Sequence, residues 1–184
     1  MKKLLFLLCM IFAGCSGART TGGYRYWEKL SNDEKSEILK SPGIDENVVL
    51  LYRHKIEVSD DDSTAALLEK LVKPTDDKTR VLYFYLFNEI LKKSDGALAE
   101  MMEVYCFRFV NGNADFSLAY FKQHDDIVSL YISSIGYELL YNEVDISVYK
   151  QNLQKQVRSE SAKEYLPRFF SEVERVYKEA KEEG

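Results

Sequence analysis

The residue with the clearest chemical use is Cys15, and after it come His124-Asp125-Asp126, the acidic run 60–62, Ser133-Ser134-Ile135-Gly136 and the lone body cysteine Cys106. An imidazole followed by two carboxylates can orient a proton or hold a cation, so His124, Asp125 and Asp126 are the candidate ligand-site residues. The simpler reading is that they open a helix, whose positive end favours carboxylates. The run 60–62 also offers oxygen ligands for calcium. It lacks the glycine of the sharp turn and the closing glutamate, so helix capping explains it better. The two serines lie inside a helical pattern rather than on a strand-to-helix elbow, which makes them packing residues.

No catalytic residue and no metal site is expected. The chain has only two histidines, His54 and His124, and they have no partner at ligand spacing. Cys106, within Val104-Tyr105-Cys106-Phe107, reads as a small buried hydrophobe, since no flanking cation would lower its pKa. Glu138 and Glu143 fall near aromatic helices and are candidates for partial burial.

At the amino terminus, Lys2 and Lys3 precede an apolar run over residues 4–12, well short of the roughly 18 to 20 residues that span a bilayer. Small residues Ala13 and Gly14 then present the bond before Cys15. The segment Phe12-Ala13-Gly14-Cys15 resembles the lipobox of bacterial lipoproteins, with Phe12 standing where the family usually has an aliphatic residue. The resemblance implies cleavage between Gly14 and Cys15, thioether lipidation of Cys15 and acylation, such as palmitate, of its new amino group. The alternative is an ordinary signal peptide cut nearby. Residues 16–23 carry no side chain able to bury itself and read as a tether. Its span is about 14 to 17 Å on average and under about 30 Å when extended. The tether lacks the acidic run found in surface-exported lipoproteins of the Bacteroidota. By that resemblance the protein belongs on the outer membrane, facing the periplasm.

Three segments follow: 1–14 as signal peptide, 15–23 as lipidated cysteine and tether, and 24–184 as a single helical domain. The 25 Lys and Arg are outweighed by 30 Asp and Glu; without Lys2 and Lys3 the balance is 23 against 30, or −7. Such a chain repels nucleic acid, which is not expected as a partner. Cys9 leaves with the leader and Cys15 carries lipid, so Cys106 has no cysteine to pair with. No cofactor is expected beyond the covalent lipid on Cys15.

The elements that must position these residues are helices throughout, because apolar residues recur at intervals of three and four without alternation. The fold class is all-α: about eight antiparallel helices in one bundle or a short array of hairpins. Ser31 and Glu34 form a capping box for a helix to Lys40; Asp45 opens a second through Ile56. Residues 81–91 are apolar nearly all round and should be central. Asn111-Gly112-Asn113 reads as a turn, and residues 115–123 as a short aromatic helix. Val128, Tyr131, Ile132, Ile135 and Leu139 form a stripe, and Asp145 caps the next helix. Pro167 starts or kinks the last one.

The chain also has 13 Tyr and 10 Phe. Tyrosine is enriched at interfaces, and the expectation is an acidic, tyrosine-rich surface that captures a protein partner near the membrane. A toxin-neutralising immunity or inhibitor protein, an accessory subunit of an envelope or secretion machine, and a small-ligand carrier or enzyme with an inter-helix pocket are the readings this leaves open.

Overall fold

The structure is a computed structural model that describes residues 23–74 and 76–183. The leader, Gly14, Cys15 and nearly all of the tether lie outside the described residues. Among those described, a 3₁₀ turn at Trp27–Lys29 precedes nine α-helices: α1 (Asn32–Leu39), α2 (Glu46–Tyr52), α3 (Asp62–Leu71), α4 (Asp77–Leu91), α5 (Gly96–Gly112), α6 (Ala114–Phe121), α7 (Asp125–Tyr141), α8 (Ile146–Gln156) and α9 (Glu160–Glu183). They pack into one all-α bundle, and no strand occurs among them.

Helix starts follow local side-chain chemistry. Ser31 and Glu34 form the expected capping box, with Ser31 N donating to the Glu34 carboxylate at 2.8 Å and Glu34 N to Ser31 Oγ at 3.3 Å. Asp45, Asp61, Asp76 and Asp145 each accept a backbone N–H of the first turn, at 2.9, 2.7, 2.8 and 2.7 Å. Asp61 also accepts the Ser59 and Ser63 hydroxyls at 2.7 Å, so its oxygens are spent on the cap.

One helix end departs from expectation, and a second is closed in the same manner. The second helix stops at Tyr52 rather than Ile56, because His54 takes φ 54°. His54 N then bonds Leu51 O at 2.9 Å and Lys55 N reaches back to Leu50 O at 2.9 Å, the paired closure usually made around glycine. Glu143, at φ 50°, ends α7 the same way, through Glu143 N to Leu140 O and Val144 N to Leu139 O. The opposite correction applies at Asn111-Gly112-Asn113. There α5 runs on through Gly112, and only Asn113 separates it from α6. Pro167 neither starts α9 nor stands near its end. The helix begins at Glu160 and carries Pro167 on its solvent side.

The core gathers around α4. Phe84, 2 % exposed, meets Phe109, Phe116 and Tyr120 with ring centroids 4.8–5.2 Å apart, and Tyr131 at 6.4 Å, so one ring touches α5, α6 and α7 together. Below it Tyr131 donates its hydroxyl to Asn88 Oδ1 at 2.8 Å, which satisfies a buried phenol without water.

α9 is the spine on the far side. Its contacts climb together along both partners: Ser159 with Asp115, Glu164 with Lys122, Phe169 with Phe121, Arg168 with Asp125, and Val176 with Gly136. It therefore runs in the same direction as α6 and then α7, which lie end to end beside it.

The segment entering the domain is clamped to this spine. Asp115 accepts Arg158 N at 2.7 Å and Ser159 N at 2.8 Å on one oxygen, and the Tyr24 hydroxyl at 2.7 Å on the other. Burial alone would raise the Asp115 pKa, but the hydrogen bonds from Arg158, Tyr24 and Ser159 outweigh it and the carboxyl titrates below its ordinary value. Asp115→Ala should cost about 1–3 kcal/mol, since two backbone donors and a phenol lose their acceptor. A carboxyl with a depressed folded pKa stabilises fully above its unfolded value and loses that contribution as pH falls through the folded one. Urea unfolding of the variant should therefore differ from the parent at pH 7 and converge with it in acid.

Candidate functional site

The structure places His124, Asp125 and Asp126 at the start of α7 but does not bring them to bear on one point. His124 holds the position before the helix without a side-chain cap bond; its ring lies flat on Tyr120, with centroids 3.9 Å apart and planes 9° apart. Asp125 pairs with Arg168 of α9 at 3.2 Å, and Asp126 with Lys92 at the end of α4 at 3.8 Å. The two carboxylates sit in the first turn where the helix dipole favours them, and each ties α7 to a different neighbour. Both are exposed, so each pair contributes at most about 1 kcal/mol.

The other sequence candidates are committed to structure. Cys106 is fully buried, and burial pushes its thiol well above the ordinary range, against a small opposing hydrogen bond from Ser134. A thiol held protonated there is not a nucleophile. Ser134 is buried between α5 and α7, while Ser133 faces solvent. Gly136 is where α7 and α9 touch: a Cβ built on it would stand 2.5 Å from Val176 Cγ1 and 3.0 Å from Val176 Cβ. His54 and Glu143 are exposed and serve as the left-handed residues that end α2 and α7. Among the described residues no group of three or more His, Cys, Asp or Glu is placed to share a metal ion.

Two surface depressions have a definite lining. One of about 290 Å³ lies between α2 and α3, bounded by Asn47, Ile56, Ser63, Thr64, Leu67 and Lys70, with the Lys70 ammonium already bonded to Asp45 at 2.7 Å. The other is a wide hollow against α1 formed by Asp33, Ser36, Glu37, Lys40, Ser41 and Pro42. Neither includes His124, Asp125 or Asp126.

The tyrosines correct the expected surface. Seven of the 13 are buried, and only Tyr24 and Tyr141 are counted among the exposed large apolar side chains. The rings fill the space between helices, and the surface is acidic rather than tyrosine-rich. The exposed large apolar side chains are Tyr24, Val148 on α8 and, on α7, Leu130 and Tyr141; Tyr137 is half-buried, and the Tyr137 and Tyr141 rings stack with centroids 6.2 Å apart.

Beside that stripe Glu138 faces Glu103 of α5. Burial raises the pKa of both, and for Glu103 the nearby charges of Glu138 and Glu100 add to it. Of this group the sequence pointed to Glu138 alone. The outward spacing 130, 133, 137, 141 was available as a signal; the approach of Glu103 was not.

No family model matches the chain, and no curated protein or solved structure matches it either. The assignment of function therefore rests on the residues themselves.

Proposed function

We propose that this protein is a membrane-anchored, non-enzymatic helical lipoprotein that binds a protein partner close to the bilayer. The observation that carries the proposal is Phe12-Ala13-Gly14-Cys15 behind a basic, apolar leader. Cleavage before Cys15 and attachment of two or three acyl chains hold such a chain firmly, because each buried methylene contributes about 0.8 kcal/mol and one chain alone holds only marginally. Eight residues separate Cys15 from Tyr24, which Asp115 pins to the body, so the described domain would work within about 30 Å of the lipid surface. Outer-membrane attachment with the domain in the periplasm fits the tether sequence.

The non-enzymatic part is supported by where the reactive residues are used. Cys106 is sealed, Asp61 caps α3, His124 stacks on Tyr120, and Ser134 and Gly136 pack α7. An acidic binding domain at a membrane suits an immunity or inhibitor role against a basic toxin, since opposite charge speeds encounter. An accessory subunit of an envelope machine would use the same anchor and the same surface chemistry.

Cys15→Ser tests the anchor. In the native host, most of the parent protein should sediment with membranes and partition into Triton X-114 detergent, whereas the variant should move to the soluble fraction. Intact mass of the parent should show the leader removed and the acyl chains added. A bare Cys15 thiol, or an uncut leader, would overturn the proposal. Gentle purification from detergent, with mass spectrometry of what accompanies the chain, tests partner binding and separates a toxin from an envelope machine.

A further inference from the structure

We propose that the outward face of α7, together with the adjoining carboxylates of α5, docks a basic amphipathic segment of the protein partner. The inference rests on the reading of the protein as a partner-binding module and adds where the partner sits and what chemistry it presents.

Residues 130, 133, 137 and 141 recur at helical spacing on the side of α7 turned away from the core, while Ile127, Tyr131, Ile135 and Leu139 face inward. Tyr141 is 72 % exposed and Leu130 39 % exposed. Leu130, Tyr137 and Tyr141 thus form an apolar edge, interrupted by Ser133, outside the face that α7 packs into the core. Aromatic rings held by a rigid helix are efficient anchors for a partner, because little side-chain freedom is left to lose.

The charge beside the stripe selects the occupant. Glu138 lies one turn from Tyr141, Glu103 approaches it from α5, and Glu100 follows on the same helix. Some surface carboxylates pair with Lys or Arg, as Asp125, Asp126 and Glu174 do, whereas Glu100, Glu103 and Glu138 have no cation within ion-pair distance among the described residues. Two half-buried carboxylates that repel each other are costly to keep ionised without a counter-ion, and a Lys or Arg from outside relieves that cost. Glu143 extends the negative rim at the end of α7. A second copy in a two-fold contact would set this rim against itself, and an anionic lipid surface would be repelled, so neither is the occupant. A segment with Lys or Arg on one side and apolar residues on the other satisfies both halves of the face.

The test uses the full chain in the membranes of its own host. A photo-crosslinking phenylalanine derivative replaces Tyr141 in one variant and Lys40, just past the end of α1, in a control. The expected result is an adduct from position 141 and not from 40, with the crosslinked partner peptide carrying a net positive charge. Glu103→Lys combined with Glu138→Lys should lower adduct yield at least about tenfold, as reversed charges do at an electrostatically matched contact. Glu138→Gln with Tyr141→Ala, which adds no charge, should lower it in the same direction while circular dichroism confirms an unchanged helical fold. A neutral or acidic crosslinked peptide, a second copy of this chain, or an adduct that survives charge reversal would overturn the proposal. Should a partner co-purify yet crosslink only from position 40, this face is wrong and the partner-binding reading stands. Recovery of no partner by either route overturns both.

Discussion

Replacing Phe84 with alanine is expected to remove about 3–5 kcal/mol of stability, the usual cost of deleting a fully buried aromatic ring. The large figure follows from position. Phe84 is 2 % exposed and meets Phe109, Phe116, Tyr120 and Tyr131, so its loss opens a void bordered by three helices that cannot all close on it. Edge-to-face geometry with Phe116 and Tyr120, at interplanar angles of 80° and 90°, adds roughly 0.5–1.5 kcal/mol per pair beyond area alone. For a body of this size each kilocalorie moves the melting point by about 2–4 °C, giving a fall of roughly 6–20 °C by calorimetry. Phe84→Leu retains much of the volume and should lose less than half as much. Equal losses for the two variants would show that the site collapses freely and that Phe84 is not the hub described.

Gly136→Leu should cost about 3 kcal/mol, at the upper end for overpacking. The first added atom already stands 2.5 Å from Val176 Cγ1, and valine in a helix has essentially one rotamer to offer in response. The remaining atoms of leucine would have to displace α9 from α7. Gly136→Ala separates the two effects acting at this position, because alanine gains up to about 1 kcal/mol in helix propensity while still making the clash. Val176→Ala removes the opposing methyl groups. Combined with Gly136→Ala it should destabilise less than the two single changes added together, by more than about 0.5 kcal/mol. Strict additivity in urea denaturation would mean that α7 and α9 do not meet at this glycine.

What could be read from the sequence was chemistry confined to one turn of chain. The capping box at Ser31 and Glu34, the aspartates at helix starts and the all-round apolar run in α4 each involve neighbours within a few residues, and each stands where it was expected. The helix ends at His54 and Glu143 were illegible, since a left-handed residue is ordinarily signalled by glycine and neither carries that mark. Gly112 gave the opposite error: flanked by two asparagines it reads as a turn, yet packing of Phe109 and Val110 carries the helix through it. Tyrosine content pointed outward only because composition says nothing about placement. The acidic start of α7 was visible as spacing, but Lys92 and Arg168, which hold Asp126 and Asp125, come from distant parts of the chain. The facing of Glu103 on Glu138 has the same origin, which is why the candidate face emerged only with the fold.

The position of α9 sets which part of the packing is completed late. Ribosomes deliver the chain from its amino end, so Phe121 and the close approach at Gly136 stay bare until Glu160–Glu183 emerges to cover them. The rings around Phe84 on α4, α5, α6 and α7 do not wait for it, so what α9 adds is cover for the outer sides of α6 and α7. A chain cut before Glu160 would leave Phe121 and the surface around Gly136 open to water, an apolar side that proteases and chaperones would meet.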